Sequence, residues 1–302
     1  MIRTIASVVL ALLLLNGSMP AAADNDLDAR VSALTTPFKG SVMLYAKNLR
    51  TGRDFGRGAE TKVRTASTIK LPILCALESL IDAGKVRWDE RLLLKADDKV
   101  TGSGVMGNLA DGTDLTVRNV AILMIIVSDN TATNLILDRI TADAVNDYLD
   151  AIGLPLTRSN RKVRGDGAKL KDPTGWSRAG LIEENKKYGL GVTTPREMVR
   201  LLELLEQGKV VSPAVSKDVL DILKMQHERE GIARHAPDDV EIASKHGSLD
   251  ALRSDVGIVY TPGGPIAIAI TVDDMPDTDY SPDNVGDKLI WELGQVLAAG
   301  LQ

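Results

Sequence analysis

Strand-forming text sits at the two ends of this chain and helix-forming text fills the middle, and that arrangement restricts the fold more than any other feature. Residues 41–46 have strand character, and the turn-rich run Asn48-Leu49-Arg50-Thr51-Gly52-Arg53 links them to a second strand. Near the other end, residues 240–244, 254–261 and 266–272 read as three more strands. The breaker Pro262-Gly263-Gly264-Pro265 separates the last two. One antiparallel sheet of about five strands can collect segments from both ends only if the middle is inserted as a separate helical lobe, which predicts an α+β sandwich. On this reading, 24–66 plus 231–302 form the sheet part and 67–230 the mainly helical part of one domain. A cleft between sheet and lobe is a usual place for a ligand.

The middle supports that division. Residues 67–83 carry apolar side chains at helical spacing and stop at Gly84, a good C-terminal cap. Residues 115–127 and 131–140 follow as helices. Thr194-Pro195-Arg196-Glu197 forms a capping box with proline at the first helical position and opens a helix to residue 206. Ser212-Pro213 opens another in the same way. A short helix after Asp24 ends near Pro37, and residues 285–297 read as a closing helix. Residues 155–188 show little periodicity and many charges, and a loop that long in a compact domain is usually functional or mobile.

The first 23 residues read as a secretory signal peptide rather than as fold. Arg3 gives a positive start, an apolar run too short to span a bilayer follows, and Ala21-Ala22-Ala23 offers a cleavage site. The expectation is an exported protein, periplasmic or secreted, without stable membrane insertion. Net charge is −5 over 302 residues, which gives no reason to expect a nucleic-acid partner. The lone Cys75 lies in an apolar helix and reads as a buried, inert thiol. The three histidines show no metal-ligand spacing and there is no glycine-rich phosphate loop, so no metal and no cofactor is expected.

Three short motifs carry chemistry. Ser67-Thr68-Ile69-Lys70 is an S-x-x-K tetrad opening a long apolar helix. A serine hydroxyl needs a nearby base to act as a nucleophile, residues i and i+3 share a helix face, and a lysine serves as base when burial and positive charge lower its pKa. Alone the tetrad is weak, since ordinary composition produces roughly one match in such a chain. Ser159-Asn160-Arg161-Lys162 also matches, in the aperiodic loop. Ser128-Asp129-Asn130 falls in a turn between two helices, where all three residue types also serve as plain caps. Lys245-His246-Gly247 closes a predicted strand, where a lysine could simply block edge aggregation.

In this order and spacing, the three motifs make the sequence resemble the class A β-lactamases and penicillin-binding proteins over nearly the whole mature chain. The resemblance implies that Ser67 attacks a carbonyl and is acylated, that Lys70 assists its deprotonation, and that Ser128 passes a proton to the leaving nitrogen. Lys245 would hold the electrostatics of that step and, with Ser128, attract a substrate carboxylate. Asn130 would contact the substrate amide and Lys70. The backbone N–H groups of Ser67 and Ser248, the latter just after Gly247, would form the oxyanion hole.

Two positions depart from the family pattern. Class A β-lactamases carry a glutamate after S-D-N that activates the deacylating water, and the matching place here falls near Val163, in Arg161-Lys162-Val163-Arg164-Gly165-Asp166. Glu183, Glu184 and Asp166 are the replacement candidates. His246 stands where the family has a hydroxyl residue that helps bind the substrate carboxylate, and Ser248 could supply that hydroxyl. An arginine common beyond this strand has Arg253 close to its place. The implied substrate is a small β-lactam. A cell-wall peptide or small ester, cleaved by a peptidase- or esterase-like relative, and a penicillin-binding sensor that stays acylated are the alternatives.

Overall fold

The computed structural model describes residues 21–167, 170–227 and 230–302. Helix α1 (Ala21–Thr35) precedes strands β1 (Ser41–Asn48), β2 (Asp54–Arg57) and β3 (Val63–Arg64). The lobe follows as α2 (Lys70–Asp82), β4 (Arg91–Leu93), β5 (Asp114–Thr116), α3 (Val117–Ile126), α4 (Asn130–Ile140), α5 (Ala142–Ala151), β6 (Arg158–Ser159), α6 (Glu183–Lys186), β7 (Gly191–Thr193), α7 (Pro195–Glu206) and α8 (Pro213–Lys224). Strands β8 (Ile242–Leu249), β9 (Leu252–Thr261) and β10 (Gly264–Asp273) and helix α9 (Val285–Gly300) complete the chain. Most of the signal-peptide expectation, residues 1–20, lies outside the described residues. Among the described residues no helix is long and apolar enough to cross a membrane.

The main sheet is antiparallel, in the order β2-β1-β10-β9-β8, so strands from the two chain ends meet where β1 pairs with β10. Strict alternation sends side chains to opposite faces of these strands. Leu44, Ile266, Ile268 and Ile270 pack with Leu27, Val31, Leu293 and Leu297 of α1 and α9. Tyr45, Ala267 and Ala269 point the other way and join the core shared with α2, α4, α7 and α8. Burying each such leucine or isoleucine is worth roughly 1.5–3 kcal/mol. Small alanines on the lobe side let α7 pack closely on β1 and β10.

Two expectations shift in detail. The 262–265 breaker reduces to a two-residue loop, because Thr261 pairs with Gly264 and Pro265 with Tyr260. The strand read at 240–244 is β8, which runs on through Lys245, His246 and Gly247 to Leu249. Glycine argues against a strand interior by propensity, and its place here is set by a close backbone approach described below. The aperiodic stretch after Pro155 is irregular but tethered. Asn146 exchanges two hydrogen bonds with the backbone of Ser159, at 2.8 and 2.9 Å, and Asn134 does the same with Val163, at 2.7 and 2.9 Å. Cys75 is buried, and burial pushes its thiol pKa up.

Candidate active site

A minor three-stranded sheet, β3-β7-β6, delivers the first motif. After Arg64 pairs with Val192, the chain turns through Ala66 at φ +45° into a 3-10 turn, Ala66–Ile69, and α2 begins only at Lys70. The sequence placed Ser67 on the helix itself; it lies on this tighter turn instead. With 3.0 residues per turn, a 3-10 segment eclipses positions i and i+3, which aligns Ser67 with Lys70. Thr68 holds the turn by donating its hydroxyl to the Thr65 carbonyl at 2.7 Å. A left-handed non-glycine residue costs on the order of 1–3 kcal/mol, and such strain clusters at functional sites. Ser128, at φ +51°, is a second instance in the same site.

The S-D-N turn is both a cap and a site. Asp129 caps α4 by accepting from the Ala132 N–H at 2.8 Å. Its other oxygen accepts from the N–H groups of Val105 and Met106, at 2.6 and 2.7 Å, which pins the loop that follows Gly102 and Ser103. With Asp129 committed to structure, Ser128 and Asn130 are left to face Lys70. The Lys70 amine lies 2.5 Å from the Ser128 carbonyl, 3.2 Å from Ser128 Oγ and 2.9 Å from Asn130 Oδ1. Lys70 is fully buried. Burial first, and the positive charge of Lys245 second, hold its pKa well below the usual lysine range, against a smaller opposing pull from Asp129.

Lys245 is also fully buried, so it does not serve as an exposed edge-strand charge even though β8 is an edge strand. Its amine donates to the His246 carbonyl at 2.8 Å. Gly247 touches the nucleophile's turn: a Cβ there would sit 2.5 Å from the Ser67 nitrogen and 3.0 Å from that of Thr68. Any side chain at this position would force β8 away from the Ser67 N–H. Ser67, Asn130, His246 and Ser248 line one cleft of about 480 Å³.

The acidic candidates separate. Asp166 lines this cleft, with its backbone tied to the Thr101 hydroxyl at 2.9 and 3.0 Å. Glu183 and Glu184 are exposed on α6 and do not line the cleft, and Glu183 pairs with Lys186 at 2.6 Å. The second S-x-x-K match is not assembled: Ser159 is buried in β6, whereas Lys162 pairs with Asp138 at 2.6 Å. Arg253 does not line the cleft. It is buried, bound to Asp287 at 2.9 Å and to the Leu249 carbonyl at 2.7 Å, and its guanidinium lies 4.8 Å from the ring of Tyr280, which does line the cleft.

Sequence reasoning missed four contributors. Asn134 fixes Val163 at the cleft wall, and its signal was its place one helical turn beyond Asn130 on α4. Arg161 and Arg164 line the cleft from an aperiodic loop that gives no such signal. Asp255 is buried opposite His246 in the β8–β9 register, accepts from the Ile232 N–H at 2.8 Å, and leaves its other oxygen unbonded. Burial pushes its pKa up to about 7, with Lys245 pulling the other way. Among the described residues no group of three or more His, Cys, Asp or Glu is gathered to hold a metal.

A profile of the beta-lactamase enzyme family matches residues 26–301. The chain belongs to the beta-lactamase enzyme family. A Bacillus licheniformis beta-lactamase is 24% identical over 295 residues, covering 95% of this chain and 88% of that protein. The solved beta-lactamase of Sphaerobacter thermophilus is 30% identical with a TM-score of 0.78, covering 91% of this chain and 97% of that one. PBP-A is 27% identical with a TM-score of 0.77, covering 91% and 95%. A single-substitution variant of PBP-A is solved as its acyl-enzyme complex with penicillin G. Family and fold make this chain a β-lactamase-like hydrolase.

Proposed function

We propose that the protein opens β-lactam rings through an ester on Ser67, and that release of that ester is the weaker half of its cycle. The observation that carries this reading is the buried Lys70 amine, held between Ser128 and Asn130 under the field of Lys245 and aligned with a half-buried serine in a cleft. A neutral Lys70 takes the Ser67 proton as Oγ bonds to the lactam carbonyl carbon. The resulting oxyanion lies between the N–H groups of Ser67 and Ser248, and each such donor is typically worth ~10²-fold or more in rate. As the C–N bond breaks, the Ser128 hydroxyl gives its proton to the leaving nitrogen and Lys70, 3.2 Å away, restores it. Lys245 lowers the cost of the negative charge that gathers there and attracts the carboxylate on the leaving half.

Hydrolysis of the ester needs a base for water. Asp166 is the acidic residue that lines the cleft, whereas apolar Val163 stands near the family's glutamate position. That observation favours a second reading, a penicillin-binding protein that acylates and turns over slowly, and likeness to PBP-A supports it. A peptidase or esterase of the same superfamily would share the acylation step and differ in acyl donor.

Mixing the mature protein with a chromogenic cephalosporin while following colour and protein mass tests the proposal. Continued colour with a Ser67 adduct that accumulates and then decays supports the proposal, and one burst with a stable Ser67 adduct supports the second reading. Neither colour nor adduct would contradict both and leave an ester or peptide donor. We also propose export, on the strength of residues 1–23. Mature protein starting near Asp24 outside the cytoplasm would support it, and cytoplasmic protein retaining Met1–Ala23 would contradict it.

A further inference from the structure

We propose that Arg161 and Arg164 form a second anion subsite in the cleft, one that selects acyl donors carrying a carboxylate on the acyl half. This inference rests on the acyl-transfer reading and goes beyond it to the substrate class.

Both arginines line the cleft that holds Ser67. Many arginines elsewhere in the fold are matched to acids, among them Arg64 with Asp273, Arg118 with Asp218, Arg139 with Glu90, Arg196 with Glu60 and Arg253 with Asp287, whereas Arg50 donates to the Pro262 carbonyl and Arg234 lies over Trp291. Among the described residues neither Arg161 nor Arg164 forms an ion pair. Arg161 donates to the Lys162 carbonyl at 2.9 Å and lies 5.7 Å from the ring of Trp176. The Arg164 Nε is buried and has no hydrogen-bond partner among the described residues. The two guanidinium groups feel each other: burial, and then the charge of Arg164, lowers the Arg161 pKa.

Two half-buried cations that repel each other across one cleft wall, neither ion-paired among the described residues, are costly, and a carboxylate that reaches both lowers the repulsion and supplies an acceptor. The guanidinium fork suits a carboxylate better than it suits a halide or a water. One acidic side chain, Asp166, competes from the same wall. It is exposed and forms no ion pair among the described residues, and it leaves the two arginines one positive charge in excess.

Position decides which half of the substrate meets this pair. Lys245 and Ser128 serve the leaving half. Asn130, the residue for the acyl amide, donates to the Thr101 carbonyl at 3.1 Å, and the Thr101 hydroxyl is bonded to Asp166. An acyl side chain running past Asn130 therefore reaches the wall of residues 161–166. The fitting donors are penicillins with a side-chain carboxylate, or peptides whose acyl residue carries a free carboxylate.

The test compares second-order rates of Ser67 acylation by benzylpenicillin and by its α-carboxy analogue, carbenicillin, read as their ratio so that any general loss of reactivity cancels. Arg161→Gln and Arg164→Gln are each expected to cut the carbenicillin-to-benzylpenicillin ratio by about 10-fold, the scale of one lost charge-assisted hydrogen bond. In the unaltered protein the ratio should fall as sodium chloride is raised, which needs no variant to fold. Ratios in both variants within about twofold of the unaltered protein, with Ser67 still labelled by both compounds, would overturn the subsite and leave the acyl-transfer reading standing. In the unaltered protein, the absence of any Ser67 adduct and of any hydrolysis with both compounds would overturn that reading and the subsite with it.

Discussion

The floor and the loop wall of the cleft are built on different principles. The floor comes from regular elements and their ends: the 3-10 turn before α2, the turn between α3 and α4, and the middle of β8. Lys70 and Ser128 are buried there, Lys70 is bonded to Ser128 and to Asn130, and two residues hold left-handed backbone that the surrounding packing sustains. The wall comes from residues 161–166, irregular backbone fastened by Asn134 and by the Thr101 hydroxyl. Its cleft-lining side chains are one valine, two arginines and an exposed aspartate, without a carboxylate fixed at the family's position, while Lys162 turns to Asp138. Preorganisation lowers a barrier only where charge develops, so the floor supports attack on the carbonyl while the wall supports choice of acyl group more than activation of water.

The largest expected effect breaks the floor outright. Ser67→Ala should abolish covalent labelling by penicillin, read as protein mass, and surviving labelling would place the nucleophile elsewhere. Next, Lys70→Met should slow acylation by about 10²–10⁴-fold, the range of general base catalysis. On the proposed mechanism the neutral amine is the base, so acylation should rise with pH through the lowered Lys70 pKa and flatten above it. Lys70→Met should lose that rise in a stopped-flow pH profile.

Gly247→Ala tests whether floor and sheet must touch. A methyl group 2.5 Å from the Ser67 nitrogen displaces β8, and acylation should fall by roughly 10²-fold, the worth of one oxyanion donor. Thermal unfolding close to that of the unaltered protein would separate this from loss of fold. Val163→Glu sharpens the comparison from the other side. A carboxylate on the wall should shorten the lifetime of the Ser67 adduct by about 10-fold or more, read as mass against time. An unchanged lifetime would mean that the wall's backbone, rather than its missing carboxylate, limits release.

The smallest effect concerns the helix that carries the floor. Glu78 of α2 is buried, and burial, followed by its hydrogen bond to Asp218, raises its pKa from 4.5 to about 8. The folded state therefore binds the Glu78 proton more tightly than the unfolded chain does. The stability this gives is full below pH 4.5 and is lost as pH rises through about 8. Relative to Glu78→Gln, the unaltered protein should lose a few degrees of melting temperature across that window, on the order expected for 1 kcal/mol or more.

The same contrast explains what the sequence disclosed. Period-2 and period-3.6 patterns made β1, β9, β10, α2, α4, α7 and α9 legible, because one face of each is buried. Ser67, Lys70, Ser128 and Asn130 were singled out by motif and lie at the ends of such elements, whereas Lys245, also singled out by motif, lies in mid-strand in β8. The extent of β8 was not legible, because Gly247 obeys a contact with Ser67 rather than strand propensity. Arg161, Arg164 and the burial of Asp255 were not legible either. Loop residues carry no period, and nothing local in the text says that Asp255 would be buried opposite His246 rather than in solvent.

The most direct measurement is the intact mass of the mature protein after mixing with benzylpenicillin, followed by peptide mapping of any adduct. The account predicts an added mass equal to the whole penicillin, located on Ser67, formed quickly and released slowly. An adduct on another residue, or neither adduct nor hydrolysis of the drug, would contradict it.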